Sequence, residues 1–328
     1  MQQNTLSKIP VPSSPSPPIV LIAGGSGLIG TALCKHLVTM GAQVRILSRS
    51  AKTKAAPTSN PSFYFWNPQT AEIDDNALTG VTHLVNLAGA GIADKEWTKA
   101  RRLELLWSRT QSADCLAAAL QKASEKAPTS VQRIVTASAI GFYTPGEVLA
   151  TEESPGGSGF LAELTGEWEK HSAALGAWAP LTTLRIGLVL SPHGGLLAPL
   201  LPMTRLGLGA CIGSGRQWMS WIHEKDMVRL IMHSLFDPEW PSGIFNAVAP
   251  LPRRHLGFMR SLAKALQRPL WIALPGWPLR LLMGPRSTLL LEGVLASSQK
   301  VQNQGFAFEY PELDQALHNL IKNPAPKT

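Results

Sequence analysis

The sequence predicts an α/β protein with a doubly wound parallel sheet and a smaller C-terminal lobe. Two observations support this fold class. Apolar, strand-like runs alternate with helical patterns from Ile19 to Leu190, which is the order that a parallel sheet with crossover helices requires. After Ser191 this alternating pattern ends, and glycine and proline become frequent through Gly215. The alternating region therefore predicts the sheet, and the later region predicts the lobe.

The predicted elements follow one another in chain order. Short apolar runs rich in β-branched residues predict strands at Ile19–Ala23, Gln43–Ser48, Phe63–Trp66, Val81–Leu87, Val131–Ser138, Leu181–Leu190 and Gly243–Val248. Apolar residues at helical spacing predict helices at Gly27–Met40, Trp97–Ala123, Phe160–Leu175, Glu224–Phe236 and Arg254–Leu266. The remainder, Pro269 to Lys322, is expected to form a small mixed structure within the lobe.

The composition bounds the organisation of the chain. Its 328 residues are 45% hydrophobic and 16% charged, which fits a globular protein with a core. We expect a polar, disordered tail over residues 1–17, a sheet domain over residues 18–245 and the C-terminal lobe over residues 246–328. The net charge of +8 attracts anions, but no block of Lys and Arg is dense enough to indicate nucleic-acid binding.

Compartment and metal content are predicted from what the sequence lacks. Three widely spaced cysteines, Cys34, Cys115 and Cys211, form neither a disulfide framework nor a metal-binding spacing, which favours a reducing, cytoplasmic location. We expect no metal. No apolar stretch is long and uninterrupted enough to span a bilayer, so stable membrane insertion is not expected.

One basic segment stands out. Seven basic residues and no acidic ones lie between Arg253 and Arg286, interleaved with Trp271 and Trp277. A basic surface over core tryptophans is the ordinary interpretation, and contact with a membrane is the alternative.

The turn after the first strand indicates a cofactor class. Gly24 permits a tight turn, Gly27 lets the backbone approach phosphates and Gly30 lets the next helix pack closely on the sheet. A strand, a glycine turn and a helix N-terminus together form the usual binding site for a dinucleotide pyrophosphate. We therefore expect cofactor contacts from these glycines and from Ser26, Leu28 and Ile29.

The end of the second strand distinguishes between two dinucleotides. An acidic residue there would bind a ribose 2′-hydroxyl and repel a 2′-phosphate. This chain has Ser48 and Arg49 instead, with Lys52 and Lys54 following and no acidic residue before Glu72. A hydroxyl beside a guanidinium suits a 2′-phosphate, which predicts NADP(H). The alternative is that Arg49 and Lys52 are solvated loop charges.

Together these motifs resemble a known family. The stretches that carry the resemblance are Gly24–Gly30, Asn86–Trp97, the Ser138 region, Phe160–Glu163, Leu206–Trp218, Leu290–Gly293 and Gly305–Pro311. The chain resembles an extended short-chain dehydrogenase/reductase of the NAD-dependent epimerase/dehydratase type, with a Rossmann-type fold, and within that type the uncharacterised YfcH-like branch. The resemblance covers nearly all of Ile19 to Ile321.

The resemblance implies further cofactor residues. Leu87, Ala88 and Gly89 would lie beside the adenine side of an NADP(H) molecule, after the fourth strand. Glu104 and Arg109 match helix positions that line the cofactor in this branch, although an exposed helical pair is the alternative. The Leu188 region would face the nicotinamide. The substrate implied is a polar small molecule, with a nucleotide sugar as one candidate, and the protein would be a monomer or homodimer.

The catalytic positions depart from the family pattern. The family uses a serine after the fifth strand and a Tyr-x-x-x-Lys motif on the next helix, in which the lysine lowers the pKa of the tyrosine. Ser138 suits the first role, but the tyrosine position holds Leu161 and the lysine position holds Thr165.

Two functions therefore remain open. In the first, an NADP(H)-dependent epimerase or oxidoreductase moves the proton with Ser138, Tyr143 or Glu163. Its substrate would then be held by other side chains, namely Arg216, Trp218 and His223. In the second, the protein binds NADP(H) without turnover and acts as a regulator or sensor.

Overall fold

The structure is a computed structural model, and it describes residues 16–50 and 59–322. Most of the tail expected over residues 1–17, and the cations Lys52 and Lys54, lie outside the described residues. The strands are β1 Ile19–Ala23, β2 Gln43–Ser48, β3 Ser62–Asn67, β4 Glu72–Ile73, β5 His83–Asn86, β6 Arg133–Ala139, β7 Leu149–Ala150, β8 Leu181–Ile186, β9 Leu188–Ser191, β10 Gly194–Gly195, β11 Ala210–Ile212, β12 Trp218–Met219, β13 Trp221–His223, β14 Gly243–Ala247, β15 Arg253–Arg254, β16 Ile272–Leu274 and β17 Leu295–Ala296.

The helices lie between these strands and in the C-terminal part of the chain. They are α1 Leu28–Thr39, α2 Lys99–Lys126, α3 Phe160–Ala173, α4 Leu197–Arg205, α5 Glu224–Phe236, α6 His255–Ala265, α7 Gly276–Met283, α8 Thr288–Leu291, α9 Gln299–Asn303 and α10 Leu313–Lys322. The helices predicted from the sequence are all present, with bounds that differ by a few residues, because helix ends depend on capping contacts. The long helix, for example, begins after Thr98, whose side chain accepts the Arg101 N–H.

An eight-stranded sheet forms the centre of the molecule, in the order β14-β8-β6-β5-β1-β2-β3-β4. All neighbouring pairs are parallel except β3 and β4, which are antiparallel. The doubly wound parallel sheet is thereby confirmed. The short edge strand β4 was not predicted. Since the carboxyl ends of parallel strands meet at one edge, the loops after β1, β2, β5, β6 and β8 converge there.

One predicted strand is wrong as a single element. The run Leu181–Leu190 divides at Gly187 into β8, which belongs to the central sheet, and β9, which pairs with β13 and β10 in a separate three-stranded sheet. A Cβ atom at Gly187 would lie 2.4 Å from the Ser220 carbonyl oxygen, so the chain can cross between the sheets only at a glycine. Continuous hydrophobicity does not reveal such a break.

Helices cover both faces of the central sheet. On one face Leu33 and Leu37 of α1 pack in the same core cluster as Leu230 of α5. On the other face Leu116 and Leu120 of α2 pack against β1 and β5. A third cluster joins α6 and α10 beneath β13 and forms the core of the C-terminal region. Strand β14 pairs with β8 as far as Ala247, two residues beyond the expected domain boundary.

Three observations concern the expectations about membrane spans, metal sites and cysteines. Among residues 16–50 and 59–322, no helix is both long and apolar enough to cross a bilayer, and no group of His, Cys, Asp and Glu has the arrangement of a metal site. The three cysteines are free and buried.

Trp271 and Trp277 are largely exposed, so the interpretation of both as core residues is wrong. Trp271 immediately precedes the short strand β16, and Trp277 lies in the short helix α7, which has no buried residue.

Candidate functional site

The glycine turn is shaped by close backbone contacts. Gly24 has φ 81°, in the left-handed region, and a Cβ there would lie 2.7 Å from the Leu87 carbonyl carbon and oxygen. A Cβ at Gly30 would lie 2.2 Å from the Gly24 oxygen. The turn is therefore packed between α1 and the loop after β5, and larger side chains would move it.

The same turn leaves the start of α1 open for an anion. Gly27 is exposed, occupies the N-cap position and supplies no side-chain cap, while its carbonyl accepts the Thr31 N–H at 2.8 Å. The first amides of a helix carry partial positive charge and bind phosphate readily. Ser26 is exposed beside them, and Leu28 and Ile29 are half-buried. We call the turn Gly24–Gly30 and the first amides of α1 the cradle. A pyrophosphate fits this cradle because no side chain fills it.

Ser48 and Arg49 end β2 at the same sheet edge. The Ser48 hydroxyl accepts the Ser50 N–H at 3.3 Å, and Arg49 is exposed. A hydrogen bond from Arg101 holds the pKa of Glu104 below its usual range, with smaller contributions from the charges of Arg101, Lys95 and Arg49. Arg49 and Lys95 thus lie close enough to Glu104 to influence it, and cations at this edge suit an additional phosphate.

The loop after β5 forms the wall beside the turn. The Leu87 N–H donates to the Ala23 oxygen at 2.8 Å, and the Ala88 N–H donates to Asn86 Oδ1 at 3.2 Å. Arg109 braces this loop from α2. Its Nη2 donates to the Ala90 oxygen at 3.1 Å, and its guanidinium lies so close to Gly89 that a Cβ there would be 3.1 Å from Cζ. Burial lowers the pKa of Arg109 to about 10. Arg109 thus shapes the wall through the backbone.

A cleft of about 360 Å³ opens beside this edge, between the sheet domain and the C-terminal region. Most of its walls are apolar or aromatic. Its lining residues include Trp97, Arg102, Gly141, Tyr143, Phe160, Leu161, Leu188, Trp218, Ser220, Leu289, Glu292 and Val294. Tyr143 follows β6 and Leu188 follows β8, so the cleft lies where the fold places ligands.

One wall of the cleft combines aromatic rings with a cation. The rings of Trp97 and Phe160 meet edge to face, with centroids 5.0 Å apart. The Arg102 guanidinium lies over the Phe160 ring, 5.0 Å from its centroid. Among the described residues Arg102 has no ion-pair partner, and its buried Nε has no hydrogen-bond acceptor. This wall can hold a flat ring and an anionic group.

The facing wall is built around Trp218. Its Nε1 donates to Glu147 Oε2 at 3.1 Å, and Arg254 stacks on its ring at 3.9 Å. Hydrogen bonds from Arg254 and Trp218 lower the pKa of Glu147 to about 2. Arg216 is exposed near this cluster, and its backbone oxygen accepts a hydrogen bond from Arg254. Trp218 lines the cleft, as expected for a substrate contact, whereas the Arg216 side chain lies outside the lining described for it.

Ser138 and Tyr143 belong to a buried network of polar side chains. The network comprises Ser138, Glu169, Arg185, Tyr143 and Asn246. Ser138 Oγ donates to Glu169 Oε1 at 2.5 Å, and Arg185 makes two 2.8 Å hydrogen bonds to the Glu169 carboxylate. Arg185 Nη1 also donates to the Tyr143 hydroxyl at 2.8 Å, which in turn donates to Asn246 Oδ1 at 2.7 Å.

Burial favours the protonated form of Tyr143. It raises the pKa of Tyr143 above its usual value, and the hydrogen bond and the charge of Arg185 compensate only in part. The phenol therefore keeps its proton at neutral pH. Such a group can donate a proton but is a poor base.

The two positions of the missing motif differ in their surroundings. Leu161 lines the cleft, so an apolar side chain faces the space where the family tyrosine would act. Thr165 is buried, and its hydroxyl donates to the Leu161 oxygen at 2.7 Å, within its own helix. Neither position offers a proton-transfer group to the cleft.

Two other expected residues lie away from the cleft. Glu163 is exposed in the first turn of α3, where a carboxylate stabilises the helix N-terminus. His223 is fully buried, its Nδ1 accepts the Lys225 N–H at 3.0 Å, and its ring stacks on Tyr310. Burial lowers the pKa of His223 to about 3. Within the described residues neither belongs to the cleft lining, and these positions give no support to their expected roles.

Sequence reasoning missed Arg185, Asn246 and Arg102. A signal was present for the first two, since Arg185 is the charged residue of β8 and Asn246 lies among apolar residues in β14. A polar group in such a strand must have a buried partner, which would have indicated a network. Arg102 gave no signal, because its helix carries many charges.

Comparison with known sequences identifies a matching family. The sequence profile described as "NAD dependent epimerase/dehydratase family" matches residues 20–247, and a second, described as "Domain of unknown function (DUF1731)", matches residues 274–320. The first covers well over half of the chain, from β1 to the end of β14.

Individual proteins are similar over nearly the whole length. "Epimerase family protein Mb2239" of Mycobacterium bovis is 36% identical over 310 residues, which is 93% of this chain and 98% of that protein. "Epimerase family protein SDR39U1 homolog, chloroplastic" of Arabidopsis thaliana is 33% identical and covers 92% and 86% of the two chains. The crystal structure of "human epimerase family protein SDR39U1 (isoform2) with NADPH" has a TM-score of 0.81 at 31% identity, covering 93% and 99%.

Proposed function

We propose that the protein is an NADP(H)-dependent oxidoreductase or epimerase that acts on a small molecule held in the cleft. The premise is that the chain belongs to the NAD dependent epimerase/dehydratase family. The observation that carries the proposal is the shared edge: the open glycine cradle and the cleft both lie at the carboxyl ends of the parallel strands. A site for cofactor without an adjoining cleft would fit binding alone.

The choice of NADP(H) rests on charge. Ser48 and Arg49 end β2 without an acidic neighbour, and Lys95 and Arg101 add positive charge near Glu104. The crystal structure of the human relative is one with NADPH, which is consistent with this preference. The turn and the amides of α1 would hold the pyrophosphate, while Leu87 and Ala88 would contact the adenine side.

The residues of the cleft suggest how a reaction could run. Bound NADP(H) would supply or accept a hydride. The aromatic and apolar walls would exclude water, and Arg102 would bind an anionic group of the substrate. Tyr143 would donate a proton to a substrate oxygen, with Arg185 stabilising the phenolate that remains, as the family lysine does. A nucleotide sugar, which combines a flat base with phosphates, has the groups that these walls suit.

A second function is favoured by one observation. Leu161 and Thr165 replace the usual acid–base pair, and the hydroxyls of Ser138 and Tyr143 are already hydrogen-bonded inside the buried network. A protein that binds NADP(H) as a regulator or sensor needs only the cradle. In that case the cleft would bind an effector or partner rather than a substrate.

One experiment separates these functions. The full chain, loaded with NADPH or NADP+, is incubated with fractionated cell metabolites. Oxidation or reduction of the cofactor is followed by absorbance, and isomeric products, which have the mass of the substrate, are separated by chromatography before mass spectrometry. A turnover function requires a fraction that is converted, and Tyr143→Phe should lower that rate about a hundredfold while NADPH affinity is retained. Tyr64→Phe is the matched control and should change neither. Tight NADPH binding with no conversion in any fraction would support the sensor instead.

The cellular location and the oligomeric state are separate proposals. We infer a cytoplasmic location from the cysteine pattern, although a similar protein of Arabidopsis thaliana is described as chloroplastic. We also infer a monomer or a homodimer.

A further inference from the structure

A group of large apolar side chains is exposed on the C-terminal region of the chain. We call it the tryptophan face. Its members, with their exposed fractions, are Leu206 at 73%, Leu208 at 47%, Trp271 at 79%, Trp277 at 69%, Leu281 at 80% and Leu282 at 82%. Soluble surfaces carry single exposed apolar residues without consequence, but a concentration of this kind usually marks an interaction site.

Two neighbouring segments build the face. Strand β11 pairs in parallel with β16, with Ala210 opposite Ile272, so Leu208 and Trp271 lie at the same end of this small sheet. Helix α7 follows β16 and contains no buried residue. Trp277 and Leu281 are four residues apart on α7 and therefore share one side of it.

The two segments that build the face carry charge of one sign. No Asp or Glu occurs between residues 194 and 217 or between residues 253 and 286, while the second segment has seven basic residues. Arg280 is exposed on α7 beside Leu281. Arg268 is exposed too, and its Nε donates to the Arg205 oxygen at 2.7 Å, which fixes its charge between the two segments.

We propose that the tryptophan face docks reversibly on an anionic lipid surface. Tryptophan and leucine enter the boundary between headgroups and acyl chains, and arginines contact lipid phosphates. The contact is peripheral and requires no spanning helix. It is independent of NADP(H) binding and of the reaction proposed for the cleft.

Other occupants fit the face less well. A second copy of the chain would bring the same positive charges against Arg268 and Arg280, which opposes self-association through this surface. Nucleic acid would satisfy the arginines, but it has no apolar layer to cover Leu281 and Leu282. A lipid bilayer supplies both the anionic groups and the apolar layer.

Vesicle flotation of the full chain tests the proposal. Vesicles of phosphatidylcholine alone are compared with vesicles that contain one part phosphatidylglycerol to two parts phosphatidylcholine. We expect binding to the anionic vesicles at least about tenfold stronger than to the neutral ones, and weakening as salt is raised. No binding to anionic vesicles, or equal binding to both compositions at all salt concentrations, overturns the proposal.

Paired variants assign the binding to this face. Trp277→Ser with Leu281→Ser should weaken vesicle binding at least about tenfold, whereas Trp107→Ser removes an exposed tryptophan of α2 and should leave it unchanged. Arg268→Gln with Arg280→Gln should also weaken binding about tenfold or more, and Lys35→Gln with Lys322→Gln, which removes the same net charge elsewhere, should not.

The folded state and assembly are measured on the same samples. Circular dichroism and NADPH binding should be unchanged in every variant, since the substituted side chains are exposed. If light scattering shows a dimer that dissociates in Trp277→Ser with Leu281→Ser, the face is a self-association surface and the proposal is wrong. Equal vesicle binding by the face variants and their controls likewise contradicts it.

Discussion

The glycine turn at Gly24–Gly30 and the buried network stand at the same edge of the sheet, but they are built on different chemistry. The turn presents backbone groups and is shaped by contacts that leave no room for a Cβ at Gly24 or Gly30. The network consists of side chains, and its hydroxyls are hydrogen-bonded to Glu169, Asn246 and Arg185. A backbone site keeps its chemistry through many side-chain changes, whereas a side-chain site is lost when one position changes. This explains how a chain can retain the cradle of its family while Leu161 and Thr165 occupy the acid–base positions.

The broadest expected effect comes from filling the turn, because cofactor binding and stability should both fall. Gly30→Ala places a Cβ within 2.2 Å of the Gly24 oxygen, so the turn must move away from α1. We expect NADPH affinity to fall at least about tenfold and stability to fall by about 1–3 kcal/mol. Fluorescence titration and urea denaturation measure the two effects.

A matched glycine provides the control. Gly257 on α6 has nothing within 4 Å of the ideal Cβ position, so Gly257→Ala should keep NADPH affinity and gain about 0.5–1 kcal/mol of stability. If both variants bound NADPH like the parent protein, the cradle would not be the cofactor site.

The second prediction concerns the network. Arg185→Met removes the partner of Glu169, whose carboxylate is only 12% exposed, and leaves a buried charge without compensation. We expect a loss of about 3–5 kcal/mol in the free energy of unfolding, with NADPH affinity unchanged in the folded protein. Urea denaturation followed by circular dichroism measures it.

A surface pair sharpens this result. Arg254→Met removes the partner of Glu147, but that carboxylate is exposed to water and loses little when its ion pair is broken. Its effect on stability should be far smaller than that of Arg185→Met. Equal losses in the two variants would mean that the network contributes no more than a surface ion pair.

The smallest effect tests which dinucleotide the cradle serves. Arg49→Ser removes the guanidinium at the end of β2, and we expect NADPH affinity to fall about 10–100-fold while NADH affinity stays the same. Lys35→Ser, which removes an exposed cation of α1, is the control. Calorimetric titration with both cofactors decides, and a parallel loss for NADPH and NADH would assign Arg49 no role in recognising the 2′-phosphate.

Local patterns predicted most of the fold. Strands and helices were found from hydrophobic periodicity, since the chain alternates between two periods over the 172 residues from Ile19 to Leu190. The break at Gly187 was missed because it depends on the Ser220 oxygen, which is distant in sequence. The exposure of Trp271 and Trp277 was missed for a related reason: composition cannot tell whether another element covers a short strand and helix.

The sequence alone determined the cradle of this protein, because a glycine turn between a strand and a helix is a local structure whose chemistry belongs to the backbone. It also revealed the loss of the tyrosine and lysine at Leu161 and Thr165, since motif spacing is local too. Only the tertiary structure decided which polar side chains meet. Arg185 and Asn246 reach Tyr143 across 42 and 103 residues of sequence. Such contacts depend on sheet order and helix packing, and no local pattern specifies them.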